Sequence, residues 1–292
     1  MVAETLTLRA MVSQRQSAIV VRQLRRNRAA VAGAIILAIE IILAVGAPIF
    51  ARYDPIEQDF SVALQGPTHA HLFGTDDVGR DLLSRVMYGA RISLSVGLIA
   101  VGIGSITGVI LGVIAGFYGG VIDTLLLRFM DVLLAFPGIL LALAVVAVLG
   151  PGLYNVMIAV GFGGIPAYTR LARASTLSVR ERDYVLAARA IGCPNGRIMG
   201  RYILPNVIPP VIVLATLGIA GAIITAAGLS FIGVGAQPPS PEWGAMLSLG
   251  RQYLQRAWWV TVFPGLAIML TVLSVNMVGD AVRDALDPKL RR

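Results

Sequence analysis

Residues Arg170 to Asn206 form a polar island between two long apolar runs, and that juxtaposition decides most of what the chain can become. The island reads RLARASTLSVRERDYVLAARAIGCPNGRIMGRYILPN, with arginines at 170, 173, 180, 182, 189, 197 and 201 against only Glu181 and Asp183. Hydrocarbon offers such groups no partner, so a segment of this kind stays in water while its neighbours enter a membrane. Composition agrees: 57% of the 292 residues are hydrophobic and 14% are charged, against about 25% charged in a soluble domain. The pattern is that of an all-α polytopic membrane protein. A net charge of +8 does not indicate nucleic acid, because the basic residues sit in blocks beside apolar runs, as membrane orientation requires.

An α-helix crosses a bilayer with about 20 mainly apolar residues. That length predicts six transmembrane helices, at 31–51, 92–117, 124–149, 152–170, 207–229 and 259–279. Arg9, Arg15, Arg22, Arg25, Arg26 and Arg28 precede or open the first, which makes 1–30 a basic cytoplasmic segment. Ala44-Val45-Gly46 resembles a signal cleavage site, but the apolar run is long and its basic lead extended, so it is read as a retained helix. Alternation then places both termini, the loop 171–206 and the tail 281–292 in the cytoplasm. Outside lie a 52–91 loop and the segment 230–258, with Arg52, Arg80, Arg85, Arg91, Arg251 and Arg256 as the basic minority. The stretch 92–280, which includes the 171–206 loop, is the transmembrane core.

The 52–91 loop reads as polar and flexible. In the second outer segment Pro238, Pro239 and Pro241 oppose regular helix, and Trp243, Trp258 and Trp259 suit the membrane–water boundary. Gly104, Gly108, Gly112 and Gly116, each four apart, make a stripe that predicts close packing within the molecule.

Several chemistries are absent. A phosphate-cradling loop ends in Lys followed by Ser or Thr; here the single lysine, Lys289, precedes Leu290. Cys193 is the sole cysteine and excludes an intrachain disulfide or a multi-thiolate metal site. His69 and His71 beside Asp76 and Asp77 are too weak a pattern for a metal, and no nucleophile–base set is evident, so no catalytic residue, metal or cofactor is assigned to the chain. Charge within the predicted spans is sparse, unlike the acidic relays of ion pumps. Glu40 lies midway along the first span and is expected to pack against protein. Arg128 and Asp131, three apart, are placed to pair on one helix face, and Pro137 should kink that helix.

Within the island, Asp183 is placed to cap a helix over Tyr184–Ile191 that Gly192 ends. Small residues at 187, 188 and 190 would let a partner approach its backbone, and the surrounding arginines suit acidic partner groups or lipid headgroups. From the residues alone a docking helix and an ordinary interfacial helix are equally supported.

The segment Asp183-Tyr184-Val-Leu-Ala187-Ala188-Arg189-Ala-Ile-Gly192, followed by Leu204-Pro205-Asn206, resembles the "EAA" loop of permease subunits of ABC importers. Leu186 stands where that pattern has glutamate, and Tyr202 where it has an apolar residue. The stretches His71-Leu-Phe-Gly74-Thr75-Asp76, Gly79-Arg80-Asp81, Gly89-Ala90-Arg91-Ile-Ser93-Leu94, Asp131-Val-Leu-Leu-Ala-Phe136-Pro137, Leu229-Ser230-Phe231-Ile-Gly233, Phe263-Pro264-Gly265 and Arg283-Asp284-Ala285-Leu286-Asp287-Pro288 resemble the second ("C"-type) permease of dipeptide and oligopeptide systems. The resemblance runs from about His71 onward; the first 70 residues read as generic.

The resemblance implies a type I importer fold and a place in the bacterial inner membrane. It implies pairing with a second, homologous permease in a heterodimer, two ATP-binding subunits that carry ATP and Mg, and an extracytoplasmic substrate-binding protein. Asp183, Tyr184, Ala187, Ala188, Arg189, Gly192, Leu204 and Pro205 would then couple the chain to the ATPase subunits. The cargo implied is a dipeptide or oligopeptide; nickel chelates, glutathione or another small solute are the alternatives within the same architecture. An ion-driven secondary transporter should show charged, broken helices in matched halves, which Glu40 alone does not supply.

Overall fold

The computed structural model describes residues 27–286; the N-terminal arginines up to Arg26, and Asp287, Pro288 and Lys289, lie outside the described residues. The described residues are helical, with no strand and one isolated bridge between Thr75 and Asp81. Helix α1 spans Arg28–Val45, capped by Asn27, whose side chain accepts from the amides of Ala29 and Ala30. A short helix Ala47–Phe50 follows. Then come α2 (Leu82–Tyr118), α3 (Gly120–Leu134), α4 (Gly138–Leu149), α5 (Leu153–Arg180), α6 (Asp183–Ala190), α7 (Leu204–Ile232), α8 (Trp243–Gly250) and α9 (Trp259–Leu286).

The glycine stripe builds the centre of the bundle. A methyl on Gly112 would stand 2.7 Å from Cβ of Ala172, and one on Gly116 2.8 Å from Cβ of Thr176. The same exercise at Gly104 meets the Gly161 carbonyl at 2.9 Å. Glycine on every fourth residue therefore lets α2 lie against α5 with almost no side chain between them, the close approach expected of small-residue stripes. On the other flank α1 leans on α9: Gly33 faces Ser274 and Met277, and Thr271 donates to Glu40 at 2.9 Å. The mid-span acid thus has a protein partner, as expected.

Among the described residues four helical stretches are long and apolar enough to cross a membrane, and the pair α3 and α4 would make a fifth. That pair bends by 95°, so the expected span 124–149 is a broken element rather than one kinked helix. The expected span 152–170 is part of a longer helix, α5, which continues through Arg180 because its arginines find acids on α3. Arg173 Nη2 lies 2.6 Å from Asp123 Oδ2, and Arg170 Nη2 lies 2.7 Å from Asp131 Oδ1. Asp131 therefore pairs across helices with Arg170 and not with Arg128.

The end of the bundle carrying residues 52–81 is an ordered cap, not the flexible loop expected, and its last turns belong to α2. Asp76 receives Arg80 at 2.6 Å and Arg85 at 3.4 Å. Arg85 is buried and also donates to the Pro55 carbonyl at 2.7 Å. Asp81 caps α2 by accepting from the Ser84 amide at 2.8 Å and faces His71 Nδ1 at 3.0 Å. Buried charge survives here because each group is paired and hydrogen-bonded. Gly79, at φ +80°, lies where any Cβ would collide with the Asp59 carbonyl.

Two tryptophans differ from expectation for the same reason. Trp243 is buried and donates to the Val86 carbonyl at 3.0 Å; Trp259 donates to the Thr75 carbonyl at 3.1 Å. Trp259 thus pins the cap to the bundle and Trp243 pins α8 to α2, while Trp258 is half exposed. Past the proline cluster the chain resumes helix at α8, where the Glu242 side chain accepts from the amides of Gly244 and Ala245.

Candidate coupling surface

At the opposite end, α5 stops at Arg180, whose guanidinium donates to the Gly116 carbonyl at 2.8 Å and so stitches α5 to the end of α2. The chain turns through Glu181 and Arg182 into α6. Arg182 occupies the capping position without a side-chain bond, and Asp183 is the first helical residue. Asp183 is thus not the cap; its carboxylate lies in the first turn, where the helix dipole favours negative charge.

The far end of α6 is closed by hydrogen bonds. Gly192 sits at φ +77°, its amide donates to the Arg189 carbonyl at 2.9 Å, and the Cys193 amide donates to the Ala188 carbonyl at 3.0 Å. This pair of bonds satisfies carbonyls that would otherwise be orphaned, and the left-handed residue between them is best supplied by glycine.

With only two turns, α6 divides cleanly into faces. Val185 and Ala188 point inward, 0% and 4% exposed, into a cluster with Val113 and Phe117 of α2, Val179 of α5, and Ile198, Ile203 and Val207. Ala188 is therefore small because the bundle lies against it, and the outward small residue is Ala187, which is exposed. Tyr184, Leu186 and Ile191 are also outward, and Ile191 is 83% exposed. Sequence reading missed Leu186 and Ile191. The signal was present, since bulky apolar residues in an arginine-rich aqueous segment have no reason to be there unless something covers them. Arg189 lies 4.9 Å over the Phe117 ring.

The segment returning from α6 is anchored by a proline. Pro205 lacks an amide hydrogen and its ring crowds the preceding turn, so the backbone widens to a π-helical turn over Met199–Ile203, with the Leu204 amide bonded to the Met199 carbonyl. Asn206 Nδ2 donates to the Tyr202 carbonyl at 2.7 Å, and Leu204 packs on the same cluster as Ala188. Arg182, Arg189, Arg197 and Arg201 remain exposed around α6, whereas Arg170, Arg173 and Arg180 are bonded to α2 or α3, Arg170 while still exposed. The result is a basic ring around a small apolar knob, clamped to the bundle from behind.

Two family models match the chain. Residues 108–292 match the binding-protein-dependent transport system inner membrane component, and residues 15–67 match the N-terminal TM domain of oligopeptide transport permease C. The chain belongs to the family of binding-protein-dependent transport system inner membrane components. The second match corrects the reading of the first 70 residues as generic.

This permease is 51% identical to the dipeptide transport system permease protein DppC of Alkalihalophilus pseudofirmus, over 92% of this chain and 89% of that one. It is 48% identical to the di/tripeptide transport system permease protein DppC of Pseudomonas aeruginosa, over 91% and 89%. The glutathione transport system permease protein GsiD of Pectobacterium atrosepticum is 45% identical over 92% and 90%. Among solved structures, the inward-facing MetNI methionine ABC transporter superposes with TM-score 0.55 at 18% identity, covering 69% of this chain and 96% of that chain. That likeness shows the fold: the permease has the type I importer architecture. Family and helices together make it a multi-pass inner-membrane protein that works within a transporter complex.

Proposed function

We propose that this permease is one half of the membrane channel of a dipeptide importer and that α6 is the lever through which ATP hydrolysis on separate subunits moves it. A homologous second permease, two ATP-binding subunits holding ATP and Mg, and an extracytoplasmic binding protein complete the complex. The termini and α6 face the cytoplasm, and the 52–81 cap faces the binding protein. The names of the two DppC relatives support the cargo. The observation that carries the mechanism is the two-faced lever: Tyr184, Leu186, Ala187 and Ile191 outward, Val185 and Ala188 locked to the bundle. Asp183, Arg189 and Gly192 frame it, and Leu204-Pro205 fixes its return to the membrane.

Purification of the complex through the permease tests this. Ile191→Glu puts a charge on the outward knob without touching the bundle; it should lower co-purifying ATPase subunits at least about tenfold, as loss of a central apolar anchor does at interfaces, while membrane insertion persists. Unchanged association would overturn the lever. External protease reaching the Arg180–Leu204 segment in intact cells would overturn the orientation. The GsiD relative supports glutathione as a second reading of the cargo; uptake of labelled glutathione in preference to dipeptides would establish it.

A further inference from the structure

A cavity of about 300 Å³ lies between α2, α4, α5 and α7, and three of its features belong together. Its walls are small and uncharged, with Gly138, Ile139, Ala142, Gly218 and Thr225 among them. Tyr168 also lines it, only 5% exposed, and its hydroxyl makes no hydrogen bond among the described residues. The ring rests against Gly104 and Gly164, and Oη points to Gly218, 2.6 Å from where a Cβ there would stand. Finally, α4 starts at this wall. Its capping position is Pro137, which supplies no side-chain bond, and its first helical bond runs from the Leu141 amide to the Pro137 carbonyl. The amides of Gly138 and Ile139 therefore have no acceptor among the described residues, and the space a Gly138 side chain would fill is open.

The Tyr168 hydroxyl and the first amides of α4, on the exposed residues Gly138 and Ile139, are donors with no acceptor among the described residues, and lipid tails supply none. A helix N-terminus with free amides favours a negative acceptor. No lysine or arginine lines the cavity, so an anion held there is held by neutral donors alone, firmly enough to enter and weakly enough to leave. We propose that this cavity receives the C-terminal carboxylate of a peptide in transit, with the Tyr168 hydroxyl and the Gly138 and Ile139 amides as its donors. The inference rests on the dipeptide-importer reading and adds the group of the cargo that this subunit recognises.

The test uses the complete transporter in vesicles, with binding-protein occupancy matched for dialanine and its C-terminal amide. Tyr168→Phe should cut dialanine uptake roughly tenfold more than uptake of the amide, the scale of one hydrogen bond to a charged group. Equal loss on both, or none, overturns the proposal; wild-type transport of neither peptide overturns the importer reading instead. A second arm places one thiol on the wall, Ala167→Cys with Cys193→Ser, and follows maleimide labelling. Dialanine should slow labelling, and adding Tyr168→Phe should raise the concentration required about tenfold. Protection by laurate but not by dialanine would assign the cavity to a lipid carboxylate and overturn the proposal.

Discussion

Arg173 grips Asp123 at two points: Nη2 stands 2.6 Å from Oδ2 while Nε engages Oδ1, joining α5 to α3 just before α5 runs on to the coupling surface. Both side chains are partly exposed, which reduces what the pair contributes. Asp123→Asn should cost about 1 kcal/mol and lower the melting temperature of the detergent-solubilised protein by roughly 2–4 °C. The swap Asp123→Arg with Arg173→Asp should recover part of it. A swap no better than the single changes would show that packing, rather than charge, joins these helices.

The stripe on α2 makes a sharper prediction. Gly112→Val would force its side chain against Ala172 and the Thr169 carbonyl, and overpacking at helix contact typically costs 1–3 kcal/mol or more. Gly102 on the same helix has nothing within 4 Å of its would-be Cβ. Gly102→Val should accumulate in membranes at wild-type level while Gly112→Val does not; equal accumulation would mean α2 and α5 are not in close contact.

Arg85, on α2, should be the most costly single residue among those that hold the 52–81 cap. Arg85→Ala leaves Asp76 with Arg80 as its remaining cationic partner and frees the part-buried Pro55 carbonyl, a change worth about 1–3 kcal/mol. Limited proteolysis should then cut within residues 52–81 at least tenfold faster than in wild type, with Arg85→Lys intermediate. Cleavage at the wild-type rate would show that the cap is held without Arg85, by contacts such as Trp259 to Thr75 and Arg80 to Asp76.

Burial pushes the Glu242 carboxyl above its ordinary value of about 4.5, against the pull of the Gly244 and Ala245 amides. The folded protein then holds this proton more tightly than the unfolded chain. Stability from this group is fully present below pH 4.5 and is lost as pH rises through the folded value. Glu242→Gln, which stays neutral, should therefore gain in melting temperature on wild type as pH is raised from 4.5 to 7.5. The opposite trend would show that the two amide donors outweigh burial.

Much of this was legible in the chain because it depends on neighbours in sequence. Glycines four apart share a helix face wherever they occur, and Leu204-Pro205 signals its own distorted turn. What escaped depends on residues far apart. The acids that extend α5 to Arg180, Asp123 and Asp131, lie 50 and 39 positions from their arginines. Trp243 looked like a boundary residue because its acceptor, the Val86 carbonyl, is 157 positions away. The inward turn of Ala188 was hidden differently. In a helix of eight residues, barely two turns, each position turns the facing by about 100°, and no periodic signal is long enough to fix it.

Helix α2 meets the inner face of α6 through Val113 and Phe117 at one end, and at the other its Asp81 cap and Arg85 are built into the 52–81 cap. Its 37 residues form one uninterrupted rod, about 55 Å long at 1.5 Å per residue. Such a strut has no joint at which to absorb a push. On the proposed coupling, a push delivered at α6 reaches the 52–81 cap, and a push on the cap reaches α6, along a single continuous piece of backbone.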